Sequence, residues 1–219
     1  MARLYIFAEG QTEQTYGDTV LKHHLATFAV YVQGPILIAH AKKKGRVHRG
    51  GGRKYLTMRN DIIRFLAQEK ANDTYFTTMI DLYGIHSDFP GLAETEKVRH
   101  LPRQRVEQLE QAFANDINDR RFIPHIQLHE FEAILFVTPS AFETFYADCA
   151  KQIVALQAIA LAHASPEEID DDAQTAPSKR IIDQFPDYAG AKRIAGPQIA
   201  ANIGLEKFAA NARTLMPGW

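Results

Sequence analysis

The feature that most constrains this chain is the alternation of short apolar runs with segments of helical periodicity. The run Leu4 to Ala8 and the aromatic, β-branched run at 75–80 are typical of strands buried on both faces of a sheet. The segments between such runs carry apolar residues three and four positions apart, which indicates helices. This alternation predicts an α/β fold: a mainly parallel sheet with helices on both faces. The predicted strands lie near residues 3–8, 35–40, 75–80 and 122–128.

The length of 219 residues suits one large domain or one domain with an addition. Beyond Pro139 the pattern is mostly helical. We therefore predict an α/β core over residues 1–138 and a mostly helical C-terminal region over 139–219 that packs on the core. Pro124 predicts an edge position or a bulge for the fourth strand. Within the core, helices are expected at 13–28, 55–68, 104–118 and 130–137, and a loop at 88–102.

Composition excludes several classes of protein. A hydrophobic fraction of 46% argues against a disordered chain, and a net charge of −1 argues against a uniformly cationic surface. The single cysteine, Cys149, rules out a disulfide framework and a four-cysteine zinc site. We find neither a signal-peptide pattern nor an apolar stretch of membrane-spanning length. The expectation is a soluble, cytoplasmic protein without a membrane partner.

Acidic residues follow three of the predicted strands. Glu9 follows the first, Asp81 the third, and Glu130 and Glu132 the fourth. Sites in open parallel sheets form beyond the carboxyl ends of the strands, and carboxylate oxygens are preferred ligands of Mg²⁺. We therefore expect the carboxylates of Glu9 and Asp81, with one of Glu130 or Glu132, to converge on Mg²⁺ or Mn²⁺. The alternative is that each acid only caps the helix that follows it.

These acids lie in motifs that resemble a known family. The runs EGQTE at 9–13, DLYG at 81–84 and QLHEFEA at 127–133 look like a Toprim-like family of uncharacterised bacterial proteins, related to overcoming-lysogenization-defect nucleases. The resemblance continues through 177–180 to Gly204 and Leu205. It implies a Toprim fold, and proteins of this type are often encoded beside an ABC-type ATPase in phage-defence loci.

The resemblance also implies roles for individual residues. In Toprim enzymes a glutamate after the first strand serves in acid–base chemistry, and Glu9 matches it. An Asp-x-Asp after a later strand binds Mg²⁺, and Asp81 matches its first aspartate. The second aspartate is replaced here by Tyr83, so one usual ligand is missing from its place. Glu130 or Glu132 is expected to substitute, unless the site is inactive.

A glycine-rich basic segment follows the second predicted strand. From 42 to 54 it contains no acid, and its glycines would let backbone N–H groups approach a phosphate. It predicts contact with nucleic acid, DNA or RNA; the alternative is a solvated surface loop. Its cationic residues are Lys42, Lys43, Lys44, Arg46, Arg49, Arg53 and Lys54.

Two further groups are candidates for the site. His129 is expected to act as a ligand or proton shuttle, or to be a core histidine; the zinc-protease pattern is absent because no histidine follows four residues later. Glu130 and Glu132 cannot face the same way on a helix, so one of them is expected to be buried against a basic partner. Ser178, Lys179 and Arg180 open a helix whose dipole a bound phosphate would complement, or pair with the acidic run at 167–172.

Two functions follow as hypotheses. The first is a Mg²⁺- or Mn²⁺-dependent Toprim-type nuclease, the effector of an ATPase-linked phage-defence system, in which Glu9, Asp81 and His129 are catalytic. The second is a non-catalytic subunit that docks an ABC-type ATPase, and Tyr83 is the residue that favours it.

Overall fold

The computed structural model describes residues 1–38, 55–128, 130–169 and 175–211, with side chains described as far as 208. The chain divides into two units, Met1–Leu128 and His129–Trp219. The division precedes the predicted boundary after residue 138. The reason is local: the 3₁₀ segment Phe131–Val137 is almost entirely buried and packs with helices of the second unit.

The first unit is built on a parallel sheet, as predicted. Among its described residues, six strands pair only in parallel, and β1 and β4 form the centre. The strands are β1 (Ala2–Ala8), β2 (Val30–Val32), β3 (Ile36–Leu37), β4 (Thr74–Asp81), β5 (Phe122–Ile123) and β6 (Ile126–Gln127).

Each edge of the sheet consists of two short strands in line. On one edge β2 and β3 both pair with β1. Of the strand predicted at 35–40, the described part up to residue 38 contains β3 (Ile36–Leu37), and β2 was missed. On the other edge β5 and β6 both pair with β4, and they are separated at Pro124. Of the two alternatives predicted from Pro124, an edge position or a bulge, the edge position is confirmed. The strand is also interrupted there, because proline has no N–H to donate to the ladder.

The helices of the first unit cover both faces of the sheet. They are α1 (Gln11–Tyr16), α2 (Lys22–Ala26), α3 (Tyr55–Gln68), α4 (Leu92–Thr95) and α5 (Pro102–Ile117), with a π-helical turn at Gly17–Leu21 between α1 and α2. The predicted helix at 55–68 is confirmed residue for residue. The segment 88–102, expected to be loop, contains α4 and a 3₁₀ turn at Glu96–Val98.

Strand alternation separates the two cores of the first unit. Phe7 and Phe76 belong to the larger core, which includes Ile62 of α3 and Phe113 of α5. Leu4 and Ile6 face the other side, where Leu21 and Leu25 pack against them. The continuous apolar pattern of β1 follows from this burial on both sides.

The second unit is helical, as predicted. Its helices are α6 (Ala150–Leu161), α7 (Pro177–Gln184), α8 (Tyr188–Ile203) and α9 (Leu205–Asn211). Three 3₁₀ segments accompany them, at Phe131–Val137, Pro139–Thr144 and Pro166–Glu168. No helix among the described residues combines the length and the apolar character needed to cross a bilayer.

Candidate functional site

Glu9 connects the ends of the two central strands. It directly follows β1, and its backbone N–H donates to the carbonyl of Met79 at 2.8 Å, which extends the pairing with β4. Its side chain turns back across the same strands, and Oε2 accepts the backbone N–H of Asp81 at 2.8 Å. The carboxylate is therefore held at the carboxyl end of the sheet, where parallel-sheet proteins place their sites.

Gly84 allows the chain to pass directly against this carboxylate. A Cβ on Gly84 would lie 2.5 Å from Oε1 and 2.7 Å from Cδ of Glu9, closer than non-bonded atoms can approach. Gly84 ends the 3₁₀ turn Leu82–Gly84 that follows β4. The glycine of the DLYG motif thus leaves room for the Glu9 carboxylate in its observed position.

A small cavity opens beside Glu9. Its volume is about 20 Å³, enough for a water-sized ligand atom. Ile38 and Tyr55 line it, and these are the described residues on either side of the segment 39–54. The described residues that line it are Glu9, Ile38, Tyr55, Met58, Ile80, Gly84, Ile85, His86 and Phe89.

His86 is a polar residue of this cavity that our sequence analysis missed. Its Nδ1 lies 2.9 Å from Oδ1 of Asp88, which also accepts the backbone N–H of Tyr55 at 3.1 Å. Burial acts to raise the pKa of Asp88, but the N–H of Tyr55, its own N–H and His86 outweigh burial and lower it. Asp88 is therefore a carboxylate that orients His86. The sequence signal was the His-x-Asp pattern directly after the DLYG motif.

Asp81 approaches the strand ends from the other side. Ile80 lines the cavity, and because successive side chains of a strand alternate, Asp81 leaves β4 on the opposite side. Glu9 and Asp81 are thus joined by a backbone hydrogen bond at one end of the sheet. Across the residues that the structure describes, no three His, Cys, Asp or Glu side chains form a group that could hold a metal ion.

Glu132 lies inside the second unit. Its side chain has no exposed surface, and its Oε1 contacts Nζ of Lys192 at 3.0 Å and accepts the hydroxyl of Tyr188 at 3.2 Å. Burial first, and then the charge of Glu132, raise the pKa of Tyr188 well above its usual value. The expectation that one of the two glutamates is buried against a basic partner is confirmed, and that glutamate is Glu132.

The side chain of Glu130 contacts the start of helix α7 in the same unit. Its Oε2 accepts the backbone N–H of Ser178 at 3.0 Å, in the first turn of α7. A carboxylate of the chain itself therefore complements the positive end of this helix. Ser178 is buried, Lys179 is exposed, and Nε of Arg180 donates to the carbonyl of Thr175 at 2.7 Å. Binding of a phosphate by these three residues stays a prediction.

Some of the predicted site residues lie outside the described residues. They are His129 and the cationic residues Lys42, Lys43, Lys44, Arg46, Arg49, Arg53 and Lys54. Their predicted roles rest on the sequence alone.

Fold and site together define an α/β protein with a parallel sheet and an acidic site at the carboxyl end of its central strands. The chain belongs to the family described as Domain of unknown function (DUF4276), whose model matches residues 8–216. Comparisons with curated proteins and with solved structures found no match.

Proposed function

We propose that the protein is a nuclease that hydrolyses phosphodiester bonds with the help of Mg²⁺ or Mn²⁺. The observation that carries the proposal is the Glu9 carboxylate, held across the ends of β1 and β4 and beside a cavity that also receives His86. A fixed carboxylate and an oriented imidazole are groups that hydrolytic enzymes use to move protons.

The acids at this end of the sheet fit a divalent cation bound partly by its substrate. Mg²⁺ is commonly held by one or two protein carboxylates together with phosphate oxygens and water, so a cage of three carboxylates is not required. Glu9 would supply one such carboxylate from the cavity side; because Asp81 leaves β4 on the opposite side, the proposal requires its carboxylate to reach round the end of that strand. A bound ion would activate water and neutralise charge on the phosphoryl group.

The motif resemblance to Toprim-like proteins supports the same assignment. The glutamate that it equates with an acid–base residue is Glu9, which lines the cavity. The resemblance extends the proposal to an effector of an ATPase-linked phage-defence system that acts in the cytoplasm. The partners in this proposal are DNA or RNA and an ABC-type ATPase encoded nearby.

A second candidate function is a non-catalytic subunit that docks such an ATPase. It is favoured by Tyr83, which stands where the Toprim pattern has a second metal-binding aspartate. Its side chain is 42% exposed beside Gly84, an exposure suited to an aromatic contact with a partner protein.

The decisive experiment compares three near-isosteric substitutions. Glu9→Gln keeps an oxygen that can accept the Asp81 N–H but removes the charge, and Asp81→Asn removes the other charge. We expect Glu9→Gln to lower cleavage more than about 100-fold, because it removes a charge that would hold the metal ion, and Asp81→Asn to do the same if the Asp81 carboxylate reaches that ion. Asp73→Asn is the matched control: this exposed carboxylate precedes β4, at the opposite end of the sheet.

Cleavage would be measured on single- and double-stranded DNA and on RNA, with Mg²⁺, Mn²⁺ or EDTA, and with the neighbouring ATPase where one exists. Activity of the parent that is lost in EDTA and in both site variants supports the nuclease. A parent that is inactive throughout, or a Glu9→Gln variant as active as the parent, would leave the non-catalytic subunit as the better proposal.

A further inference from the structure

A second concentration of positive charge lies in the first unit, among described residues. Between residues 97 and 105 the chain carries four Lys/Arg side chains and one histidine, and no acid. Acids flank the stretch on both sides, Glu94 and Glu96 before it and Glu107 after it, but positions 97–105 themselves are locally cationic in a chain of net charge −1. The residues are Lys97, Arg99, His100, Arg103 and Arg105.

Topology places this stretch at the same end of the sheet as Glu9. Helix α5 returns from the end of β4 to the start of β5, so its first residues lie at the carboxyl end of the strands. Within α5, Phe113 packs against Phe89 and Tyr55, with ring centroids 5.1 and 5.5 Å apart, and both of these rings line the cavity. Arg103 lies ten residues earlier on α5, roughly 15 Å further along the helix axis.

The positive charges of this stretch are accessible. Lys97, Arg99 and His100 are exposed. Glu96 contacts Arg99 at 3.2 Å and Arg105 at 3.5 Å, and Glu96 and Arg99 are both more than half exposed. The exposed Glu96–Arg99 pair contributes only about 0–1 kcal/mol, so a phosphate can compete with Glu96 for Arg99, whereas the Arg105 side chain is only 16% exposed.

The helix itself adds to the attraction for an anion. Arg103 and Arg105 stand in the first turn of the 16-residue α5, where the helix dipole is positive and a cation is unfavourable. The positive charges of the two arginines therefore lie next to the positive end of the helix dipole. A phosphate group bound there would relieve the repulsion and meet backbone N–H groups as well.

We propose that Lys97, Arg99, His100 and Arg103 form a surface that binds the sugar–phosphate backbone of a nucleic acid and leads it to the cavity beside Glu9. The inference rests on the proposed nuclease function, for which it supplies a substrate-binding surface. Arginine favours phosphate, which its planar guanidinium binds through two hydrogen bonds. Phe113, which packs against two rings of the cavity, and Arg103 are roughly 15 Å apart along the axis of α5. That distance corresponds to about four nucleotides of one strand at 3.4 Å each.

The test is the salt dependence of binding, measured in EDTA so that cleavage plays no part. A fluorescent oligonucleotide, single-stranded or duplex, is titrated with the full chain at several salt concentrations. The variant is Lys97→Ala/Arg99→Ala. Its matched control is Lys70→Ala/Arg120→Ala, which removes one exposed lysine and one exposed arginine at the opposite end of the sheet, before β4 and β5.

For the variant, the slope of log affinity against log salt should become shallower by about 1.4 on a single strand and about 1.8 on a duplex. The control should keep the slope of the parent. A parent that does not bind, a variant with the slope of the parent, or equal loss in the control would overturn the surface. Equally tight binding of polyglutamate would assign the surface to an acidic protein instead and also overturn the proposal.

The outcome is separable from that of the proposed function. Binding that depends on Lys97 and Arg99 without cleavage by the parent would sink the nuclease and keep the surface. Metal-dependent cleavage with an unchanged salt slope would keep the nuclease and sink the surface.

Discussion

At the scale of single residues, the site depends on what surrounds the Glu9 carboxylate. Its position is set by two backbone features, the N–H of Asp81 that it accepts and the close approach of Gly84. A methyl group at position 84 tests this arrangement directly.

Gly84→Ala is expected to displace the Glu9 carboxylate with little loss of stability. The new Cβ would meet the mobile end of that side chain, which can rotate away. The hydrogen bond to the Asp81 N–H would then be lost, and because bonds to charged acceptors contribute about 1.5–3 kcal/mol, exchange of that amide should accelerate about tenfold or more. Amide hydrogen exchange by NMR measures this without any assay of activity.

The control is Gly34→Ala, since a Cβ at position 34 would meet no other atom within 4 Å. It should leave exchange at Asp81 unchanged. Unaltered exchange in Gly84→Ala, or global unfolding of that variant, would contradict the proposed role of the glycine.

At the scale of elements, the interrupted edge of the sheet is held by side chains in place of ladder bonds. Between β5 and β6, the hydroxyl of Thr78 donates to the carbonyl of His125 at 2.8 Å and accepts its N–H at 2.9 Å. Glu110 of α5 accepts the N–H of Ile126 at 2.7 Å. The break at Pro124 therefore brings Glu110 and His125 into contact, with Nδ1 and Oε1 3.7 Å apart.

Burial shifts the two groups in opposite directions. Burial, aided by the charge of Glu107, raises the pKa of Glu110 from 4.5 to about 7, against the opposing N–H of Ile126. Burial lowers the pKa of His125 from 6.5 to about 4, against a hydrogen bond with Gln127. Both groups are thus favoured in their neutral forms between about pH 4 and 7.

These shifts predict opposite pH dependences that offset each other in the parent. The raised pKa of Glu110 makes stability fall as pH rises from about 4.5 to 7, because only the unfolded chain releases that proton. The lowered pKa of His125 makes stability rise between about pH 4 and 6.5. Glu110→Gln should therefore leave a rising profile and His125→Gln a falling one.

In each variant the free energy of unfolding should change by about 2 kcal/mol across its pH range. This is less than for fully buried groups, since the side chains of Glu110 and His125 are 26% and 19% exposed. Urea unfolding followed by circular dichroism between pH 4 and 7.5 measures the free energy of unfolding for the parent and both variants. Profiles of the same sign in the two variants would show that the groups do not titrate as argued.

At the scale of the whole molecule, the division into units makes a prediction about fragments. The segment Phe131–Val137 contains apolar side chains that are buried within the second unit. A fragment 1–128 keeps the sheet and both of its cores, so we expect it to be folded and to unfold cooperatively. A fragment 1–138 would add Phe131, Ile134, Leu135 and Phe136 without the helices that cover them, and should aggregate.

Light scattering and thermal unfolding of the two purified fragments check this expectation. A soluble, cooperatively folding fragment 1–138 together with an aggregating fragment 1–128 would place the boundary after residue 138 instead.

The sequence by itself determined the class of fold, the central strands and the long helices. The patterns of β1, β4 and α3 are local, because burial on two faces demands continuous apolar runs and burial of one helix face demands helical spacing. Pro124 likewise predicted the edge position of its strand, since a missing N–H is a property of the residue. Glu9 and Asp81 were found for the same reason: Glu9 directly follows β1, and Asp81 ends β4.

Tertiary structure decided which of those acids share an environment. Glu130 and Glu132 follow one strand in sequence, yet one complements helix α7 and the other is buried against Lys192, contacts with residues some 50 to 60 positions away. His86 reaches the cavity of Glu9 only because β1 and β4 are neighbours in the sheet and Gly84 lets the chain pass close to the carboxylate. Such contacts depend on packing between distant segments, so a local pattern such as His-x-Asp can mark a candidate residue but does not show which cavity that residue lines.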